Sequence, residues 1–134
     1  KTMKLRGYIF SRTFLQERVP QHIQNIIIRD YCIKYKFTYL LSATEYAMPG
    51  SNLMLNLIVS EFDYIDGIVA YSIFQLPENF YSRSKIINTF LENKKELHFA
   101  CEGMKIYNNA SFEEIETLWQ IKLTTNLNYL NDNK

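Results

Sequence analysis

The stretch Asp66-Gly67-Ile68-Val69-Ala70-Tyr71-Ser72-Ile73-Phe74-Gln75-Leu76-Pro77 decides how this chain folds. A turn signal, Asp66-Gly67, precedes an almost unbroken apolar run, and polar groups return where the run approaches Pro77. A strand with one wet face alternates apolar and polar residues, whereas a strand buried on both faces does not. The run therefore predicts the central strand of a parallel sheet, over residues 65–73. In such sheets ligands bind just beyond the carboxyl ends of the strands. The residues that follow this strand mark the edge where chemistry belongs.

Upstream, residues 5–10 read as a first strand. Pro20 then opens a helix, at a position that suits proline, and Ile23, Ile26, Ile27, Tyr31 and Tyr35 recur at helical spacing. Residues 37–43 read as a second strand. Met48-Pro49-Gly50-Ser51-Asn52 is a loop in which Ser51 or Asn52 caps the next helix. That helix carries Leu53, Met54, Leu57 and Ile58 and ends near Phe62. Downstream, residues 82–91 form a helix with Ile86, Ile87, Phe90 and Leu91 inward. Residues 96–101 form a strand followed by Gly103. Ser111-Phe112-Glu113-Glu114 reads as a capping box opening a helix through Ile115, Leu118 and Trp119, and Asn126 to Lys134 reads as a polar, frayed tail. Strands and helices alternate with short connections, and right-handed crossovers then give an α/β, three-layer sandwich. Its central sheet is mainly parallel, with four to five strands. One domain spans residues 3–127, and residues 128–134 are its polar tail.

A chain of 134 residues is one domain by length, able to bury about two-thirds of its unfolded surface. With 47% apolar and 22% charged residues it reads as soluble and globular. Aromatics at 15% read as a bulky core with a tyrosine-bearing surface. A net charge of +1 argues against nucleic acid as a partner. Cys32 and Cys101 form no CxxC or Cys/His spacing, so they read as reduced, mostly buried thiols of a cytoplasmic protein, with no metal site. No apolar stretch approaches the roughly 20 residues that span a bilayer, and the first residues lack a signal-peptide layout. Glycine-rich nucleotide loops and a GxSxG elbow are absent from the sequence, so no cofactor is expected.

Each strand end delivers polar side chains. The first delivers Ser11, Arg12, Glu17 and Arg18; the second Thr44, Glu45 and Tyr46; the third Tyr71, Ser72, Gln75 and Glu78; the fourth Glu102. His22, in the first turn of the first helix, falls near the same edge. Singly, each has an ordinary structural reading: a strand end, a surface ion pair, a loop acid, a core tyrosine, an exposed helix histidine. Together they define a candidate pocket. Glu45, Glu102, Tyr71, His22 and Ser11 are the candidates for acid/base or nucleophilic work. Arg12, Glu17, Arg18, Tyr46, Ser72 and Gln75 are the candidates for ligand binding. Guanidinium forks suit phosphate or carboxylate, and acids accept hydroxyl hydrogen bonds, so the set suits an anionic or polyhydroxylated ligand. His98, inside the fourth strand, reads as a satisfied core or sheet-face histidine.

Gly7-Tyr8-Ile9-Phe10-Ser11-Arg12, followed by a glutamine-containing helix ending in Tyr31-Cys32, resembles the catalytic domain of serine recombinases over residues 5–106. That resemblance implies a resolvase-like fold, with Ser11 at the place of the nucleophilic serine. The family's arginine shortly before the serine is replaced by Ile9 and Phe10. Its Asp-Arg-x-x-Arg motif is replaced by Phe74-Gln75-Leu76-Pro77-Glu78. Without those arginines a phosphodiester transition state lacks its charge stabilisation. A second set of stretches is similar to the sporadic carbohydrate cluster proteins, a small bacterial family. These are residues 6–12, Glu17-Arg18-Val19-Pro20-Gln21-His22, Leu41-Ser42-Ala43-Thr44-Glu45-Tyr46, residues 68–77 and His98-Phe99-Ala100-Cys101-Glu102-Gly103. This likeness implies a place in surface-polysaccharide or unusual-sugar biosynthesis and brings no catalytic residue with it. The leading expectation is acid/base chemistry on a sugar-phosphate or nucleotide-sugar, with Arg12 and Arg18 holding the anionic group. The alternatives are a non-catalytic interaction or regulatory module of the pathway and, ranked below it, a DNA-acting recombinase relative. The resolvase likeness leaves room for a homo-oligomer.

Overall fold

The computed structural model describes residues 2–15, 17–48 and 50–132. Its strands are β1 (Lys4–Phe10), β2 (Thr38–Glu45), β3 (Gly67–Ala70), β4 (Glu96–Phe99) and β5 (Met104–Ile106). Its helices are α1 (Gln21–Tyr35), α2 (Leu53–Ile58), α3 (Phe80–Glu92) and α4 (Asn109–Asp132). The sheet order is β2-β1-β3-β4-β5, so the apolar run supplies the middle strand. β1 pairs in parallel with both β2 and β3, and β3 with β4; β5 runs antiparallel to β4.

Both faces of β3 are covered, as its unbroken apolar character requires. Val69 packs with Leu5 and Ile9 of β1 against Ile28, Tyr31 and Cys32 of α1. Ile68 and Ala70 pack the other way, with Tyr8, Phe10, Leu97 and Phe99, against α2, α3 and α4 through Leu55, Ile58, Ile87, Phe90, Ile115 and Trp119. The direction of each crossover explains the split. From β1 the chain moves outward to β2 through α1, then returns across the sheet to β3 and β4, so right-handed connections put α1 alone on one face. Burial of each large apolar side chain contributes about 1.5–3 kcal/mol.

Three local features depart from the sequence expectation. β3 ends at Ala70, where residues 65–73 were expected to be extended, because Ser72 starts a single 3-10 turn over Ile73–Gln75. The Ser72 hydroxyl accepts the Phe74 amide at 3.1 Å, a local bond that competes with the ladder. Ile73 and Leu76 still fill the core from this turn, so apolar character continues without a strand. The second departure is the inward face of α1. It consists of Gln24, Ile28, Tyr31 and Cys32, whereas Ile23, Ile26, Ile27 and Tyr35 are exposed. Four isoleucines within residues 23–28 leave the phase of the apolar stripe ambiguous. The third is the fifth strand, created by a turn at Gly103 (φ 64°) that folds the chain back along β4. That turn also leaves Cys101 exposed, against the expectation of a buried thiol. Cys32 is buried, which pushes its thiol up to about 11.

Helix boundaries shift for the same reason, local capping. Asn79 caps α3 through the Ser82 amide at 3.1 Å. Asn108 precedes α4 and accepts the Ser111 amide at 2.8 Å, so the expected capping box lies inside the helix. The helix continues through Asp132, past the start of the expected tail; residues 133–134 lie outside the described residues, as does Pro49 of the predicted loop. Among the described residues no helix is long and apolar enough to cross a membrane. Arg83 fastens α3 to α4. It donates to both Glu116 carboxyl oxygens at 2.9 and 2.7 Å and to the Pro77 and Glu78 carbonyls at 2.9 and 2.8 Å. Burial pushes the Glu116 carboxyl up, but the Arg83 hydrogen bonds and charge outweigh it and hold the group below its ordinary range.

Gly67 is needed for strand contact. A Cβ there would lie 1.9 Å from the Glu96 carbonyl oxygen, so β3 and β4 approach each other only with glycine at this position. Gly67→Ala is expected to destabilise the fold by ~3 kcal/mol, read from the urea midpoint. His98 offers a pH test. It is buried on β4, with Nδ1 2.7 Å from the Tyr31 hydroxyl and Nε2 2.8 Å from Glu96. Burial holds it below the ordinary histidine value, against the opposing pull of Glu96. The folded state then binds fewer protons than the unfolded state just below neutrality, so this contribution is lost as pH falls. Comparing urea midpoints at about pH 7.5 and about pH 5.5, His98→Gln should lose less stability on acidification than the parent.

Candidate functional site

The carboxyl ends of β1, β2 and β3 meet over two buried glutamines. Gln24 enters from α1. Its Oε1 accepts the Phe10 amide at 3.0 Å and Gln75 Nε2 at 2.7 Å. Its Nε2 donates to the Phe10 and Val19 carbonyls at 2.9 and 2.8 Å. Both lone pairs and both N–H groups of this amide are therefore used. Gln75 Oε1 in turn accepts the Tyr71 and Ser72 amides at 3.0 and 3.4 Å. Gln75 has no exposed surface, so the structure corrects its expected role as a ligand contact. Gln24 was not among the expected site residues. The available signal was a polar side chain one turn before Ile28 on a helix whose inward face is otherwise apolar.

Glu45, the last residue of β2, is also fully buried, where a catalytic carboxyl was expected. It accepts the Tyr8 hydroxyl at 2.9 Å, the Ser51 hydroxyl at 3.0 Å and the Met54 and Leu55 amides at 3.0 and 3.1 Å. The carboxyl group satisfies the free amides that open α2, and this, rather than reaction, uses its capacity. Burial first, then Glu45, pushes the Tyr8 phenol above the ordinary tyrosine range, so its O–H remains the donor. Beside it, the exposed Ser11 hydroxyl donates to the Glu45 carbonyl at 2.8 Å. Arg12 donates to the Tyr46 carbonyl at 2.9 Å and lies 4.1 Å over the Phe10 ring, so part of its guanidinium is committed. Tyr46 is exposed and joins through its backbone alone, its amide donating to the Glu45 carboxyl group at 3.3 Å; Arg18 and His22 are exposed and take no part in these bonds.

A second set gathers at the ends of β3 and β4. Glu102 accepts the Ser72 hydroxyl at 2.7 Å on one carboxyl oxygen and the Ile73 amide at 2.9 Å on the other. Burial raises its pKa against those hydrogen bonds, and the charge of Glu17 adds to the rise. Burial first, then the neighbouring Cys101 thiol, holds the Tyr71 phenol above its ordinary value; Cys101 is likewise raised by burial and by Glu102. Glu17 arrives from the loop after β1, whose small Phe14–Glu17 bridge is anchored by the buried Phe14 ring 6.2 Å from Tyr71. Lys122 of α4 reaches Glu17 at 3.6 Å. The expected residues thus divide into a β1–β2 group around Ser11 and Arg12 and a β3–β4 group around Glu102, with Glu45 and Gln75 closed off beneath. A shallow hollow of about 320 Å³ lies elsewhere, lined by Lys105, Tyr107, Asn108 and Ser111 at the start of α4. Among the described residues no three His, Cys, Asp or Glu side chains gather in a way that could hold a metal ion.

No family model and no curated protein matches the sequence. Solved structures do share the architecture. The N-terminal catalytic domain of TP901-1 integrase is similar, with a TM-score of 0.64 and 13% identity, covering 90% of this chain and 95% of that one. A resolvase family site-specific recombinase from Streptococcus pneumoniae is similar at TM-score 0.61 and 8% identity, covering 96% of this chain and 95% of that one. The fold is therefore that of a resolvase-like, serine-recombinase catalytic domain, and at these identities the likeness concerns fold alone.

Because five donors converge on the Glu45 carboxyl group, Glu45→Leu is expected to cost ~3 kcal/mol or more in chemical denaturation. Glu45→Gln keeps an acceptor and should cost ~1–2 kcal/mol.

Proposed function

We propose that the chain binds a polyhydroxylated, sugar-type ligand at the carboxyl ends of β3 and β4, with Glu102 as the acid/base group. The observation that supports this is the setting of Glu102. Its carboxyl group is oriented by Ser72 and Ile73, raised in pKa, and placed beside Tyr71, Cys101 and Glu17. A carboxyl group poised above its ordinary value can hold a proton nearer neutrality and deliver it to a leaving or migrating oxygen. Carboxyl and phenol groups also suit sugar hydroxyls. A phosphate on the same ligand falls to the Arg12 and Arg18 side, in keeping with a sugar-phosphate or nucleotide-sugar of bacterial surface-polysaccharide or unusual-sugar biosynthesis. DNA strand cleavage is disfavoured. Phe10 precedes Ser11, and Phe74-Gln75-Leu76-Pro77-Glu78 follows β3, where the recombinase resemblance calls for arginines.

A second reading is a non-catalytic module that docks on a pathway enzyme. The observation that favours it is the outward side of α1, where Ile23, Ile26 and Ile33 are exposed. Scattered apolar residues on a surface are ordinary, which ranks this reading second.

Offering the protein a panel of sugar-phosphates and nucleotide-sugars, with turnover followed by NMR and binding by thermal shift, separates the two. Glu102→Gln should lose turnover by about 100-fold or more while retaining binding. Absence of turnover and of any thermal shift across the panel would count against the ligand reading.

A further inference from the structure

We infer that Gln24 and Gln75 act as a clamp that sets the position of the Glu102 carboxyl group and ties it to the loop after β1. The inference rests on the reading of Glu102 as the acid/base group, and makes the two glutamines positioning residues rather than ligand contacts.

The connection is a continuous series of short bonds. Gln24 holds Phe10 and Val19, the two ends of the loop that carries Ser11, Arg12, Glu17 and Arg18. The same amide accepts Gln75 Nε2, and Gln75 Oε1 fixes the Tyr71 and Ser72 amides. Ser72 then presents its hydroxyl to one oxygen of Glu102, while the next residue, Ile73, presents its amide to the other. The Tyr71 carbonyl accepts the Cys101 amide at 2.7 Å, which fixes the turn from which Glu102 projects.

The amide orientation is determined by this geometry. Gln24 Oε1 faces two donors and its Nε2 faces two acceptors, so rotation of the amide by half a turn would place oxygen against carbonyl oxygen. Both glutamines are fully buried, where water cannot replace a lost partner. Displacement at Val19 or Phe10 therefore reaches Ser72 through two side chains. A loop that shifts when ligand enters would shift the donors that orient Glu102.

The test reads the unliganded protein. The Glu102 titration is followed by side-chain carboxyl NMR, and Cys101 alkylation by iodoacetamide is timed against pH. These are measured in the parent, Gln75→Leu, Gln24→Leu and Ser72→Ala. Ser72→Ala removes a donor to Glu102 directly and sets the direction of change, upward. Both glutamine variants should move the Glu102 midpoint the same way and change the Cys101 rate by about twofold or more, with circular dichroism retained. Gln75→Asn keeps the amide one methylene short and replaces Gln75→Leu if that variant does not fold; it should move the midpoint in the same direction. A folded glutamine variant with the parental Glu102 midpoint and Cys101 rate, beside a shifted Ser72→Ala, would overturn the clamp. Neither readout uses a sugar, so failure of the ligand panel leaves this result intact, and failure here leaves the panel result intact.

Discussion

A central parallel strand creates a difficulty where it stops. Its neighbours on both sides continue to bury it, yet its next backbone groups have no ladder partner, and unpaired buried amides are costly. In this protein β3 stops at Ala70, and the following amides of Tyr71 and Ser72 are taken up by Gln75, itself held by Gln24. The same pair secures Phe10 and Val19, on the neighbouring strand and on the approach to α1. Much else at this edge depends on that solution. The 3-10 turn, the aim of Ser72 and the placement of Glu102 all follow from it.

Glu45 solves a related difficulty on the β2 side. A short helix such as α2 has a large share of unpaired amides, and the carboxyl group at the end of β2 accepts two of them while receiving two hydroxyl groups. The carboxyl edge therefore contains three strongly bonded polar residues serving the backbone, Gln24, Glu45 and Gln75. Glu102, Glu17, Tyr71 and Cys101 remain at least partly exposed beside them. The resemblance to recombinase catalytic domains is one of fold, and these side chains gather at the carboxyl edge of that shared scaffold.

The order of elements and the central place of the 66–77 run were legible because hydrophobic continuity and turn residues report burial directly. The run could not show where strand passes into turn, since Ile73 and Leu76 are buried in either conformation. The isoleucines of α1 concealed its inward face, and the decisive residue there is polar. Of the residues singled out from sequence, Glu102, Tyr71 and Ser72 lie at the carboxyl edge of the sheet. It could not distinguish Glu45, which faces into the protein, from Glu102, which faces the edge: both are acids just past the apolar core of a strand. That difference is set by Tyr8 and by the amides of α2, and it emerges only when strands far apart in sequence are assembled.

The single tryptophan of the chain gives this arrangement an optical handle. Trp119 is fully buried, its indole N–H donates to the Ile73 carbonyl at 3.0 Å, and Phe74 and Arg83 flank the ring at 5.2 and 4.4 Å. Ile73 is the residue whose amide holds Glu102. The indole and the carboxyl group thus grip opposite ends of one residue. Its emission needs no label to register whether α4 is seated on the turn that builds the edge, and with a cation resting on the ring the spectrum should be sensitive to displacements of that seat well short of unfolding.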